Sequence, residues 1–300
     1  MLCEKKFTLP VVPPFRLDLT VWTLRRRQRN HIDRWNGKEY TRVFVLDGNA
    51  VHVVVEQQHE TNLLITVRCE SKVPKLQEII MGMLTTMLGT DKNLEKFYRL
   101  AERDKHLKSL AASFKGVKPP RFPTIFEALV NAIACQQVTL DVGILLLNRL
   151  SESHGKQFAD QYAFPRPEDL ADVSEGDIKS LGFSYQKSRA IISLANTIVS
   201  KEDSFNNFEN LPNETVVTRL MKIKGIGRWS AEYVLLRGLG RIDTFPGDDV
   251  GAQKNLMQLI NASKRPNYDE IQQVTKQWKP FAGLVYFHLL LDKLQKKNLL

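Results

Sequence analysis

Only three cysteines, Cys3, Cys69 and Cys135, occur in this 300-residue chain. They are scattered, with no zinc or dithiol spacing, so no disulfide framework is expected and a reducing, intracellular setting fits. An iron–sulfur cluster takes more thiolates than the chain offers. No apolar run reaches the roughly 18 residues of a membrane span, and the opening MLCEKKFTLPVVPPF lacks a signal-peptide core. There is no internal repeat, no low-complexity tract and no divalent-metal cluster. The absence of a heptad run points to a monomer. What is present is an apolar fraction of 43%, ordinary for a globular protein, and a formal net charge of +10. Such a balance favours polyanionic partners through counterion release, without fixing fold or chemistry. The length implies two or three packed units rather than one core.

The first third reads as strands. Val43–Gly48 and Ala50–Gln57 are β-branched runs flanking Asp47-Gly48-Asn49, a strong hairpin turn. Asn62–Glu70 supplies another strand, and Lys75–Leu88 then shifts to helical spacing, with Leu76, Ile79, Ile80, Met83 and Leu84 on one face. Gly89-Thr90-Asp91 ends that helix, and Asp91 is placed to cap the next. Beyond residue 91 the strand signals vanish, and helical segments alternate with breaks at Pro119-Pro120, Pro123, Pro165, Pro167 and Pro212. The expected fold is α+β and mostly α. A small antiparallel β-rich domain spans residues 1–90, and an all-helical body of two packed lobes spans residues 91–300.

The most informative stretch is Leu220–Ala252. Asn213 is a plausible N-cap for a helix over 214–222. Lys224-Gly225-Ile226-Gly227 makes a turn, and a second helix runs from Arg228 to about Gly238, so that a helix-hairpin-helix occupies 214–238. The glycines allow close backbone approach to a phosphate. Their N–H groups, with the positive end of the second helix, form an anion site that Lys222, Lys224 and Arg228 surround with charge. A plain helical corner with a glycine turn has the same pattern. Behind a Phe-Pro-Gly turn comes an acidic pair, Asp248 and Asp249. Asp248 is read as the cap of the following helix, leaving Asp249 at its start, where the dipole stabilises a carboxylate. Both aspartates as ordinary caps is the plainer alternative.

Hairpin and acid together resemble the helix-hairpin-helix/GPD DNA glycosylase superfamily, and within it the AlkA-type DNA-3-methyladenine glycosylase II. The resemblance rests on Gly225–Tyr233 (GIGRWSAEY), Phe245–Asp249 (FPGDD), Phe126–Val138 (FEALVNAIACQQV) and Gln277–Phe281 (QWKPF), the last followed by a helix bearing His288. It covers roughly residues 120 to 290. It implies a helix-hairpin-helix glycosylase body and catalysis by Asp249, whose carboxylate stabilises the oxocarbenium charge of glycosidic cleavage or orients water. Strand-cleaving members of the superfamily place a nucleophilic lysine where this chain has Trp229, so the resemblance implies hydrolysis without strand cleavage. Trp229 is then a pocket wall whose π-face stacks on a flipped base, with a cation–π term for a cationic alkylpurine. Tyr233 lies one turn on, and core packing is the alternative for both. Trp22 is a further candidate to close the pocket.

Three positions depart from the family pattern: Val250 stands where it has tyrosine, Leu290 where it has a second large aromatic, and Gln137 where it has an intercalating leucine. Glutamine can fill the gap left by a flipped nucleotide; alternatively Gln136 and Gln137 bridge helices. The hairpin carbonyls of Met221, Ile223 and Ile226 match positions that hold a structural Na+ or K+ in the superfamily, and no cofactor is otherwise required. Arg25-Arg26-Arg27 with Arg29 reads as a solvated strand face or a contact to bent DNA. His288 reads as a core histidine. The function implied is excision of alkylated purines such as 3-methyladenine from damaged double-stranded DNA in base excision repair. The alternatives are an oxidised-guanine glycosylase of the same fold and a non-catalytic helix-hairpin-helix DNA-binding protein.

Overall fold

The computed structural model describes residues 2–200 and 205–300. The chain opens with strand β1 (Cys3–Pro10), helix α1 (Leu17–Arg25) and strands β2 (Arg34–Trp35), β3 (Glu39–Leu46), β4 (Asn49–His59) and β5 (Asn62–Cys69). These strands form one antiparallel sheet in the order β1-β5-β4-β3-β2. The β3–β4 hairpin closes at Leu46 opposite Asn49, with Asp47 at φ 47° and Gly48 at φ 73°. Two left-handed residues in succession give the turn whose twist matches its strands, which is why Asp-Gly is found there. On β4, Val51, Val53 and Val55 face the core at 0% exposure.

Helix α2 (Leu76–Leu88) follows, then α3 (Glu95–Arg103), α4 (Leu107–Ser113), α5 (Ile125–Cys135) and α6 (Leu140–His154). A two-stranded ribbon, β6 (Gln157–Phe158) and β7 (Gln161–Tyr162), precedes α7 (Pro167–Leu170), α8 (Glu175–Ser180) and α9 (Tyr185–Val199). The body ends with α10 (Asn213–Leu220), α11 (Arg228–Arg237), α12 (Val250–Leu259), α13 (Tyr268–Thr275) and α14 (Ala282–Gln295). Helix α5 starts at the N-cap Thr124, whose hydroxyl accepts the Glu127 N–H at 3.0 Å. It is buried all round from Phe126 to Ala134, as expected for a helix with apolar residues on every face.

One apolar cluster runs without interruption from the sheet through α2 into α5, α6, α9 and α11; a second gathers α3, α4 and α12–α14. A buried polar array crosses from sheet to body. Arg42 on β3 donates to Asp33 at 2.6 Å and to both carboxylate oxygens of Glu127 on α5 at 2.6 and 2.7 Å, while Tyr40 donates to Asp33 at 2.8 Å.

The structure corrects several expectations. The arginine run does not lie on a strand: Arg25 ends α1, Arg26 caps it in the left-handed conformation at φ 61°, and both are buried. Arg27 pairs with Asp141 at 2.9 Å, and Arg29 is exposed. Strand signals do not end at residue 91, because the β6–β7 ribbon covers the outer face of β4, with His52 stacked on Phe158 at 5.3 Å. That cover explains why His52 and Val54 are buried on the face away from the core. Asp91 caps nothing; Asn93 instead accepts the first N–H of α3, that of Glu95, at 2.9 Å. Asn213 is the first residue of α10 rather than its cap, and its side chain donates to Asp243 at 2.9 Å.

His288 is a core histidine, 1% exposed, its Nδ1 2.7 Å from the Leu284 carbonyl oxygen and its ring 5.0 Å from that of Phe97. Burial pushes its imidazole down to about 4. The unfolded chain therefore binds a proton that the native state refuses between pH ~6.5 and ~4, and the stability due to neutral His288 is lost as pH falls through that window. In urea unfolding at pH 7 and pH 4, wild type should lose about 3 kcal/mol more than His288→Leu on acidification; an equal loss in both proteins refutes a histidine buried neutral.

Candidate active site

The hairpin is built from backbone hydrogen bonds. α10 ends as Lys222 and Ile223 donate to Arg219 and Leu220 at 3.1 and 3.0 Å, and Ile226 closes the turn on Ile223 at 3.0 Å. Gly225 holds φ 90°, and a Cβ there would meet the Ala190 Cβ at 3.2 Å. Ile226, 5% exposed, anchors the turn in the first cluster. Gly227 is the N-cap of α11 with no side-chain cap, so the N–H groups of the first turn remain free at an exposed glycine with open space beside it. Lys222, Lys224 and Arg228 are exposed around it.

The α5–α6 turn is fastened to this hairpin. Gln136 donates to the Gly225 carbonyl at 2.8 Å and lies 3.0 Å from the Ser230 hydroxyl, so of the two glutamines it is the one that bridges. Lys187 donates to the carbonyls of Ala134 and Gln136 at 3.0 and 2.7 Å, holding the end of α5. Gln137 is exposed at the tip with φ 54°, beside exposed Val138. A left-handed glutamine is uncommon and is sustained by the fastened residues before it.

Asp249, not Asp248, is the N-cap of α12; Asp248 is exposed. The acid thus combines the two roles that the sequence pattern had divided between neighbours. Its Oδ1 accepts the Ala252 N–H at 2.8 Å. Its Oδ2 accepts the Trp229 indole Nε1–H at 3.2 Å and the Tyr286 hydroxyl at 3.2 Å. Burial and then the adjacent Asp249 push the Tyr286 phenol well above its usual range, so it stays a donor. The loop before the acid is fixed by Glu232 of α11, which accepts the Gly247 N–H at 3.1 Å and the Tyr268 hydroxyl at 2.6 Å. Gly247 is required here because a Cβ would lie 2.7 Å from the Tyr268 ring.

Tyr233 lies behind Trp229 with ring centroids 5.5 Å apart, and its hydroxyl accepts from Arg26 at 2.8 Å. Val250 is exposed at the start of α12, and Leu290 is half-buried on α14 one turn beyond Tyr286. Trp22 packs against the second cluster under the Arg25 guanidinium, 5.0 Å from its ring centroid. The structure brings together Trp229, Asp249 and Tyr233, adds Tyr286 and Glu232, which sequence reasoning did not single out, and places behind them Arg26, which it read as a solvated strand face or DNA contact. Tyr286 was within reach of it, since it shares the α14 face of Leu290.

Fold and site together are those of a base-excision DNA repair protein built on a helix-hairpin-helix. The chain belongs to the HhH-GPD superfamily of base excision DNA repair proteins, whose profile matches residues 130–280. It is 30% identical over 71% of its length to a DNA-3-methyladenine glycosylase of Bacillus subtilis, covering 72% of that protein, and 28% identical to DNA-3-methyladenine glycosylase 2 of Escherichia coli over 60% of this chain and 62% of that one. Among solved structures it superposes on a 3-methyladenine DNA-glycosylase from Archaeoglobus fulgidus with a TM-score of 0.83, covering 95% of this chain and 97% of that one at 24% identity, a likeness of fold.

The two hairpin glycines have unequal duties. Gly225→Ala should lower stability by about 1–2 kcal/mol through its left-handed φ, whereas Gly227→Ala, at an extended φ of −95° with open space, should change it by less than about 0.5 kcal/mol. Urea unfolding of the two variants checks this; equal losses contradict it.

Proposed function

We propose that this protein is a DNA glycosylase without strand-cleaving activity that excises alkylated purines such as 3-methyladenine from damaged double-stranded DNA. It would work as a monomer wherever the chromosome is held. The observation that carries the reading is the Asp249 carboxylate, held on one side by its own helix and on the other by Trp229 and Tyr286, next to a phosphate-gripping hairpin. The free N–H groups at Gly227 and the surrounding Lys224 and Arg228 take the DNA backbone. Gln137, at the tip of its turn, fills the gap left by the flipped nucleotide. Among the described residues no helix is long and apolar enough to cross a membrane.

In this reading the C1′–N bond breaks toward the base, Asp249 stabilises the positive charge that grows on the sugar, and water supplies the new oxygen at C1′. Trp229 supplies an indole where a lysine would form a Schiff base, which supports hydrolysis rather than strand scission. The indole and the phenol orient the carboxylate oxygen, and the Trp229 face lines the base position together with Val250 and Leu290, with Tyr233, 2% exposed, packed behind the indole. The carbonyls of Met221, Ile223 and Ile226 suit a monovalent cation because they are neutral oxygens on one turn. That of Ile223 already accepts one N–H, at 3.0 Å, and would offer its second lone pair.

With methylated duplex DNA, wild type should release free 3-methyladenine and leave abasic sites that nick only after hot alkali. Asp249→Asn should reduce release about 10²–10³-fold while still binding DNA. Binding without any base release by wild type would refute the catalytic reading. Tyr286→Phe removes one donor to the same oxygen and should slow release roughly tenfold at unchanged DNA affinity; single-turnover kinetics measure it, and an unaltered rate removes Tyr286 from the mechanism.

A further inference from the structure

Two arginines are buried behind the aromatic wall of the site without a carboxylate partner among the described residues. Arg26 is 5% exposed and Arg237 is 0% exposed. Arg26 donates to the Tyr233 hydroxyl at 2.8 Å and to the Asn131 side-chain Oδ1 at 2.7 Å. Arg237 uses one nitrogen, donating to the carbonyls of Thr23 and Leu24 at 2.7 and 3.1 Å; its Nε and Nη1 have no partner among the described residues. Both guanidiniums lie over the Phe122 and Tyr233 rings, at 5.4 to 5.9 Å from the centroids. The nearby acids Asp33 and Glu127 are engaged by Arg42 at 2.6 Å. An unpaired buried charge is strongly unfavourable, and its field reaches far in a low dielectric.

The wall transmits that field toward the base. Tyr233 accepts from Arg26, so its own O–H proton points elsewhere, and it finds no acceptor among the described residues. On the other side of Tyr233 is Trp229, whose indole reaches Asp249. A base seated against Trp229 therefore has a carboxylate on its sugar side and two cations behind the wall.

We propose that Arg26 and Arg237, acting through Tyr233, stabilise the departing base and thereby extend excision from cationic alkylpurines to neutral lesions that leave as anions. The proposal rests on the glycosylase reading. In hydrolysis the electron pair of the C1′–N bond moves onto the base and water adds its oxygen to C1′; a base that left as an anion takes the proton this water gives up, and for a cationic lesion that proton goes to solvent. A neutral purine thereby passes through an anion, whereas a cationic alkylpurine leaves neutral. The arginine field favours this electron shift in both cases. It also repels the cationic lesion when it binds and leaves the neutral one unaffected, so the two substrates separate in overall efficiency. Arg26 and Arg237 are positioning residues, since each acts through another side chain.

The test uses two duplexes that differ only in the lesion: hypoxanthine as the neutral probe and 7-methylguanine as the cationic one. Single-turnover excision is measured over a range of enzyme concentration, giving a maximal rate and a half-saturating concentration for each. Arg26→Gln should lower the ratio of neutral to cationic efficiency about tenfold or more. For 7-methylguanine it should slow the maximal rate and lower the half-saturating concentration, a split that loss of packing does not produce. Arg26→Lys keeps the charge and should keep most of the ratio. Tyr233→Phe, which keeps the ring and both guanidiniums, decides the matter should Arg26→Gln fail to fold, and should lower the ratio roughly threefold. The proposal is overturned if the ratio is unchanged in a folded variant, or if wild type releases 7-methylguanine but no hypoxanthine; the glycosylase reading survives both results. Release of neither base by wild type ends both.

Discussion

Three segments far apart in sequence meet on one guanidinium. Arg26 leaves the end of α1 in a left-handed conformation and donates to Asn131 of α5 and Tyr233 of α11. Each donor of a buried arginine that finds an acceptor offsets part of the several kcal/mol that burying the ion costs, so these two bonds hold Arg26 in place. Moving any of the three helices would break those bonds, so α1, α5 and α11 are locked at one spacing. The Arg42, Asp33 and Glu127 array applies the same constraint a turn earlier on α5. Through these two arginines the sheet unit becomes part of the wall behind the site, and the apolar cluster continues across the join.

The site depends on that spacing. Trp229 reaches Asp249 only because α11 and the loop before α12 are fixed against each other, and Glu232 fixes them by accepting from Gly247 while Tyr268 closes over the glycine. Tyr286 completes the grip from α14, with α14 itself packed on α12 in the second cluster. The carboxylate is thus oriented from three elements, and neither of its oxygens is free to turn. The Gln136 bridge fastens the α5–α6 turn to the hairpin, and Trp229, in the first turn of α11, ties the hairpin side to the acid. Pre-set geometry of this kind spares the reorganisation that an exposed carboxylate would undergo during charge development.

Much of this was legible in the residues. Asp-Gly between β-branched runs gave a hairpin because that pair adopts left-handed φ with little strain. Gly-Ile-Gly between amphipathic segments gave the α10–α11 turn, and the acid after Phe-Pro-Gly gave the start of α12. The misreadings have physical causes. Helix α1 was overlooked because LDLTVWTLRRR places β-branched residues and a charge run where only tertiary packing decides the state. The arginines looked solvated because charge usually is; the burial of Arg26 depends on partners more than 100 residues away, Asn131 and Tyr233, and Arg25 turns in to the carbonyls of Gln28 and Trp35. Asp248 and Asp249 are equivalent as local capping residues, and the choice between them follows from how Gly247 is held by Glu232.

The sequence by itself determined the local pieces: the β3–β4 and α10–α11 turns, the hairpin with its basic rim, and the carboxylate behind it. These rest on near-neighbour sterics and hydrogen bonds, which a short stretch of chain carries within itself. Only the tertiary structure decided that the acid is also the cap, that Trp229 and Tyr286 share one of its oxygens, and that two arginines with no carboxylate partner among the described residues back the aromatic wall. Those are contacts between distant segments, and their energies depend on burial and on the direction of side chains, which no short window of residues contains.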